Sequence, residues 1–479
     1  MSAQSTPRTL EALRARHGER YRWLVLLTAM IGTMASIMSS TIVNVAIPDL
    51  SHYFHLGQAQ AQWVSAGFMV AMTLSMLLTP WLLGRFGLYR TYVGAIMLLM
   101  VGGIAGGLAS DFWLVLGMRV VEGLAAGVLQ PIPAIIILRA FESNEQGRAL
   151  GIFGMGVVLA PALGPTIGGI LVEHYGWRSI FFVVVPFCLG AFALARLYFP
   201  QQSQSDRKPL DWKGLVLIAI ATLSLLNGLA HVQGASHATG LVLLAIAAVA
   251  IVAFILLQRR TAAPLMQMQL YAHRQFSMGA LVSFIYGAGL FGSTYLLPVY
   301  MQLALPYGAA RAGLTLLPAG IALAIVIPLG GKLADRYSPH YLITGGLAIL
   351  SASLALLATV GPATPYILLV LWVVVGRIGM GFIFPALSLG SMRGMPADLI
   401  AQASSTSNFT RQLGGAIGVS VTGIFLEWRL AAHAGDGRGS TAAFDETFLV
   451  LAAVCALAMF ASWRMRPQET DTPSAAPAP

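Results

Sequence analysis

The chain has 479 residues, of which 57% are hydrophobic and only 10% charged, with a mean hydropathy of +0.76. Soluble domains carry about 25% charged residues, so this chain cannot cover a water-exposed globule with polar groups. The net charge of +10 would suit nucleic acid, but the basic residues are spread over loops rather than gathered into a patch, so no nucleic-acid partner is expected.

The apolar residues fall into fourteen blocks, each near the roughly 20 residues that cross a bilayer as a helix. In chain order they are 23–47, 61–83, 91–109, 113–138, 149–171, 179–199, 214–231, 239–257, 276–301, 312–334, 341–360, 366–391, 402–427 and 446–463. Gly and Pro inside several blocks are tolerated in spanning helices. The first block is too long, and its Arg-rich leader too extended, for a cleaved signal peptide. With the N-terminus inside, residues such as Arg85, Arg90, Arg139, Arg148, Arg259, Arg260 and Arg336 face the cytoplasm. The outer side receives only Arg178, Arg311, Arg429 and Arg438. This bias predicts an inner-membrane protein with both ends cytoplasmic.

Two stretches repeat. "PWLLGRFGLYRTYVG" (80–94) aligns with "GKLADRYSPHYLITG" (331–345), placing Arg85 opposite Arg336, and Gly127 and Pro131 fall opposite Gly381 and Pro385. The shared offset of about 250 residues predicts a duplicated bundle. The expected organisation is a cytoplasmic tail (1–22), a six-helix bundle (23–200), a linker with two extra membrane helices (201–275), a second six-helix bundle (276–463) and a disordered tail (464–479). The fold class is therefore all-α integral membrane. The repeated bundles point to alternating access around a midplane site.

Chemistry in the membrane rests on few residues. Of eighteen acidic residues, only Glu122 lies deep within a span. It stands one turn after Arg119 in "RVVEGLAAGVLQP" (119–131), so the two share a helix face. A charge at the bilayer centre costs roughly 2.5–3.5 kcal/mol on the insertion scale. Either the pair neutralises itself structurally, or it carries protons. Glu122 lies about 24 Å from the inner end of its span, and Ser39 lies at the same height on the first span. Thr33, Ser36, Ser40 and Asn44 form a polar stripe there, a cavity wall or a set of interhelical hydrogen bonds. Further cavity candidates are Gln130, Tyr286, Phe291, Tyr295, Asn408 and Arg411, with Arg377 raising the same question. Gly156, Ala160, Gly164, Gly168 and Gly169 are small residues suited to close helix packing, with Pro161 and Pro165 bending the helix. No nucleotide-binding loop, hydrolase triad or metal-ligand spacing is present, so no enzyme activity, cofactor or metal is expected.

The motifs resemble the major facilitator superfamily, and within it the fourteen-helix drug:proton antiporter branch of multidrug efflux transporters. The carriers of the resemblance are "TIVNVAIP" (41–48), "RVVEGLAAG" (119–127), "APALGPTIGG" (160–169), "WRSIFFVVVP" (177–186), "GGKLADRY" (330–337) and "NFTRQLGGAIG" (408–418). The resemblance implies two six-helix bundles plus two inserted helices. It implies an antiporter motif on the fifth helix and a cytoplasmic gate at Arg85, Gly331, Asp335 and Arg336. It also implies exchange of a small-molecule substrate for protons. The chain departs from the branch at Ser39, where an aspartate usually stands two residues before the Thr of "TIVNVA". It departs again at Glu122, where Gln is usual, and at Gly84, where Asp is usual. The expected function is proton-coupled export of small amphipathic compounds. The alternatives are a narrow-range metabolite or siderophore exporter, or a non-transporting receptor or scaffold with this fold. A periplasmic adaptor is conceivable as a partner, but the outer loop at about 427–445 offers it little to grip.

Overall fold

The computed structural model describes residues 9–201, 208–232, 237–434 and 439–466. Arg8, Arg207 and Arg438 and the tail from 467 onward lie outside the described residues. The described chain is helical, with no strand among its residues.

Among the described residues, thirteen helices are long and apolar enough to cross a membrane; the fourteenth crossing is hidden by a turn. Trp63–Met76 is followed by Thr79–Gly107, and the second helix is interrupted at Gly87, which has φ +76° and ψ 171°. Only glycine takes that backbone without strain. The turn separates 79–86, which completes span two, from 88–107, which is span three. Between Met76 and Thr79 the helix opens because Pro80 has no N–H to offer the Met76 carbonyl. In the second copy the equivalent turn is made by Ser338 in extended backbone, followed by Pro339 at the start of the next helix. The same connection is thus built from different residues.

The remaining spans are Arg20–Tyr53 (span one), Phe112–Leu129 continued by Ile132–Ala140 (four), Gln146–Tyr175 (five) and Ser179–Phe182 continued by Val184–Tyr198 (six). Trp212–Val232 and His237–Arg260 are spans seven and eight. Arg274–Leu303, Ala309–Arg336, Pro339–Leu357, Tyr366–Met392, Ile400–Ala432 and Gly439–Trp463 are spans nine to fourteen. Span one runs six residues beyond the sequence boundary, through Pro48. Span four breaks at Gln130 and Pro131, again because proline cannot donate to the carbonyl four residues back. Asp111 caps its other end, its carboxylate accepting from the Trp113 and Leu114 amides at 2.9 and 3.1 Å.

Spans one to six pack on one another, and spans nine to fourteen do likewise; spans seven and eight pair together and lean on spans two and thirteen. The halves meet where span five lies along span ten, and where span thirteen lies along spans two and four. Because fourteen crossings return the chain to its starting side, the first and last described residues share one face, here called the terminal face.

Candidate functional site

Glu122 and Arg119 are both fully buried within the first bundle, 1% and 0% exposed. Their side chains form an ion pair on one face of span four. Ser39 of span one completes it. Its hydroxyl accepts from Arg119 Nη1 at 2.9 Å and donates to Glu122 Oε2 at 2.9 Å. The arginine reaches the other way as well. Its guanidinium lies 4.2 Å from the Phe68 ring centroid on span two, and Nε points at the Val64 carbonyl at 3.4 Å. Arg119 Nη2 has no hydrogen-bond partner among the described residues.

Glycines of span three make the room. A Cβ on Gly102 would come 2.7 Å from Glu122 Cγ. On Gly103 it would meet the Phe181 carbonyl at 2.9 Å and Glu122 Oε1 at 3.4 Å. Glu122 is therefore enclosed by spans one, three, four and six, away from the seam between halves. Sequence spacing brought Ser39 and Glu122 to one height, but missed Gly102, Gly103 and Phe68. The "VGG" of 101–103 was the available signal, two adjacent glycines in an apolar span.

The small residues of span five form a row along span one. A Cβ on Gly164 would come 2.4 Å from Thr41 Oγ1, and one on Gly168 would come 2.6 Å from Ile42 Cγ1. A Cβ on Gly156 would come 2.9 Å from Met30 Sδ, Ala160 is fully buried beside Ile37 and Met38, and a Cβ on Gly169 would stand 4.0 Å from Val45 Cγ1. The helix continues through Pro161; the side chain of Pro165 lies outside the described residues. "APALGPTIGG" and "TIVNVAIP" are thus two sides of one contact.

The other candidates divide. Ser36 and Ser40 are buried and donate to carbonyls of their own helix at 2.8 and 2.7 Å. Helix back-bonding therefore uses both hydroxyls, whereas Asn44 is exposed and accepts from Ser65 at 2.7 Å. Gln130 is half-buried at the break in span four. Phe291 of span nine packs against span thirteen, where a Cβ on Gly415 would come 2.3 Å from its ring. Tyr286 is buried and Tyr295 is 39% exposed. Arg411 donates to Asn408 Oδ1 at 2.6 Å and lies over Phe384 at 5.3 Å.

At the terminal face, Asp335 of span ten crosses to the other half. Its carboxylate accepts from the Gly147 and Arg148 amides at 2.6 and 2.7 Å. These are first-turn N–H groups of span five, which lack intrahelical partners. The backbones touch beside it, since a Cβ on Gly331 would come 2.2 Å from the Gly147 carbonyl. Arg139 Nη2 donates to the Ala397 carbonyl at 3.0 Å, and Ser404 donates to the Pro131 carbonyl at 3.1 Å. Arg85 and Arg336 are exposed at the ends of spans two and ten. Toward the opposite face, Gly313 and Gly320 of span ten have open space where a Cβ would stand. The seam is thus closed on the terminal side. No group of three His, Cys, Asp or Glu is placed to hold a metal among the described residues.

Two similar bundles with a helix pair between them make the fold of a secondary membrane transporter. The chain belongs to the Major Facilitator Superfamily, whose family profile matches residues 29–419. Its relatives include the uncharacterized MFS-type transporter YhcA of Bacillus subtilis, 29% identical over 89% of this chain and 80% of that one. The multidrug resistance protein B homolog of Mycobacterium tuberculosis is 28% identical over 87% and 81%. The multidrug export protein EmrB of Haemophilus influenzae is 28% identical over 86% and 81%. Among solved structures, the human organic anion transporter MFSD10 superposes with a TM-score of 0.65 at 13% identity, covering 92% of this chain and 99% of that one. The E. coli fucose:proton symporter FucP superposes with 0.64 at 13% identity, covering 92% and 99%. At such identities the structural likeness concerns the fold alone.

Proposed function

We propose that this protein is a proton-coupled exporter of small amphipathic compounds in the inner membrane. It works by alternating access with both termini in the cytoplasm. The observation that carries the coupling is the enclosed Ser39–Glu122–Arg119 triad, built on the only acid among the described residues that lies deep in a span. A buried ion pair is rarely more stable than apolar packing, and intramembrane ionisable groups are functional by default. The relatives named for multidrug resistance and export support the substrate class.

In this reading the structure's closed terminal side is the cytoplasmic gate, held by Asp335 of span ten against the start of span five. Ionised Glu122 binds Arg119 and the Ser39 hydroxyl. A proton arriving at Glu122 removes the charge that holds the guanidinium, which keeps only the Ser39 hydroxyl, the Val64 carbonyl and the Phe68 ring. Phe68 belongs to the apolar cluster that also contains Phe409 of span thirteen. Loss of the pair is thereby transmitted to the seam between halves. The packed contact of spans one and five keeps the first bundle moving as a unit and closed to ion leak.

The test is an acid-loaded proteoliposome assay, using a compound found in a susceptibility panel run in a pump-deficient host. Adding the compound outside should speed proton efflux through the wild type and leave Glu122→Gln inert. Equal compound-driven efflux in both proteins would return Glu122 to a structural role.

A further inference from the structure

The second bundle carries charge of a different kind. Arg377 of span twelve is 8% exposed. Its Nη2 donates to Thr294 Oγ1 at 2.8 Å, and its Nη1 faces only the weak acceptor Met380 Sδ at 3.3 Å. Arg411 of span thirteen has Asn408 Oδ1 and the Phe384 ring. Neither has a carboxylate partner among the described residues, whereas Arg119 does. On the repeat offset that places Gly127 opposite Gly381, Arg377 stands one position beyond the counterpart of Glu122. The duplication has thus put an acid in one half and a lone cation in the other.

The two arginines belong to one locality. Span nine runs against span thirteen so closely that a Cβ on Gly287 would come 2.0 Å from the Arg411 carbonyl. The adjacent Tyr286 hydroxyl is in electrostatic range of both guanidinium groups. The locality also reaches the seam. Thr294 and Tyr295 are exposed, and the Phe384 ring beneath Arg411 reaches Gly154 of span five, where a Cβ would come 2.9 Å from it. A guanidinium carries five N–H donors, so most of the donors on each arginine remain available. Two uncompensated cations near the midplane are unfavourable unless an anion visits them.

We propose that Arg377 and Arg411, with Tyr286 and Thr294, receive the anionic group of the transported compound. The substrate class is then an amphipathic anion, with a carboxylate or phenolate on an aromatic or aliphatic body. The charge binds the guanidinium groups, which suit planar bidentate acceptors. The apolar body lies against Phe384 and Tyr295. This rests on the exporter reading above and specifies which compounds it applies to.

Two dyes with the same ring system and opposite charge provide the test. Carboxyfluorescein and rhodamine 123 are titrated against the purified full-length protein by fluorescence anisotropy, in chloride and in gluconate buffers. The wild type should bind carboxyfluorescein at least about tenfold more tightly than rhodamine 123, the size of one charge-assisted hydrogen bond. Arg377→Gln and Arg411→Gln should each remove about that factor, and Arg411→Lys should restore part of it. Equal or reversed dye preference in the wild type overturns the proposal, whether or not the Gln variants fold. So does unchanged anion affinity in both Gln variants, or carboxyfluorescein binding seen only in gluconate, which would mark a chloride site. The acid-loaded proteoliposome assay with the same dyes separates the two readings. Rhodamine 123 that binds and drives proton efflux, while carboxyfluorescein does neither, leaves an exporter without this anion site. Carboxyfluorescein that binds without driving proton efflux leaves the anion site without the exporter.

Discussion

Removing the Asp335 carboxylate should open the seam on the terminal face. Asp335 is half-buried and accepts two hydrogen bonds, at 2.6 and 2.7 Å, from amides in the first turn of span five. Losing a side-chain cap costs about 0.5–2 kcal/mol, and losing a negative charge at a helix N-terminus costs about 0.3–1 kcal/mol. These overlap, so Asp335→Ala should weaken the closed state by about 1–2 kcal/mol. In the open state span five has moved away and the carboxylate is hydrated, so nothing comparable is lost there. The open-to-closed ratio should therefore rise about 5- to 30-fold. Spin labels at Ser143 and Tyr337, exposed positions on the two halves at this face, report the change as a longer component in a pulsed dipolar distance measurement. The native Cys188 and Cys455 are buried, so labelling stays selective. Asp335→Asn keeps one acceptor oxygen and should fall between the two. A distance distribution in Asp335→Ala identical to wild type would refute the reasoning, because the cap would then contribute equally to both states.

Three further outcomes are expected. Gly164→Leu should express and insert but export at least about tenfold more slowly. Its side chain must displace Thr41, 2.4 Å from the Cβ position, and separate spans one and five; wild-type export at normal expression would exclude the close-packing role. Adding Ser39→Asp to Glu122→Gln should restore part of the compound-driven proton flux, since Ser39 Oγ lies 2.9 Å from the carboxylate it would replace; a double variant as inert as Glu122→Gln would show that the two positions do not share one proton site. A periplasm-active reporter fused after Pro479 should stay silent and a cytoplasm-active one should report, because the basic residues favour the inside; the reverse pattern would invert the orientation.

The sequence by itself determined the membrane class, the crossings and the duplication. Each follows from properties counted along the chain, namely the length of apolar runs, the absence of charge within them and two matches at one offset. It also singled out Glu122, since one carboxylate in an apolar helix needs no partner to be conspicuous. Span two against span three was legible as well, although the helices read continuously through 79–107, because "GRFGLYR" (84–90) carries the glycine and the charges of a loop.

Only the tertiary structure decided what those residues face. Helical periodicity assigned Ser36, Ser40 and Asn44 to one stripe, yet two hydroxyls turn back to their own carbonyls and only Asn44 is exposed. That choice depends on which neighbour covers the helix, not on its own spacing. Arg377 and Arg411 lie 34 positions apart, and neither position indicates that one tyrosine lies within range of both or that no carboxylate among the described residues pairs with them. The tie from Asp335 to span five joins residues 188 positions apart. It exists because a helix N-terminus leaves amides unbonded and the duplicated halves bring one acid to them. Burial, pairing and the lack of a pair are properties of surroundings, and for helices that cross a membrane the surroundings are other helices far away in the chain.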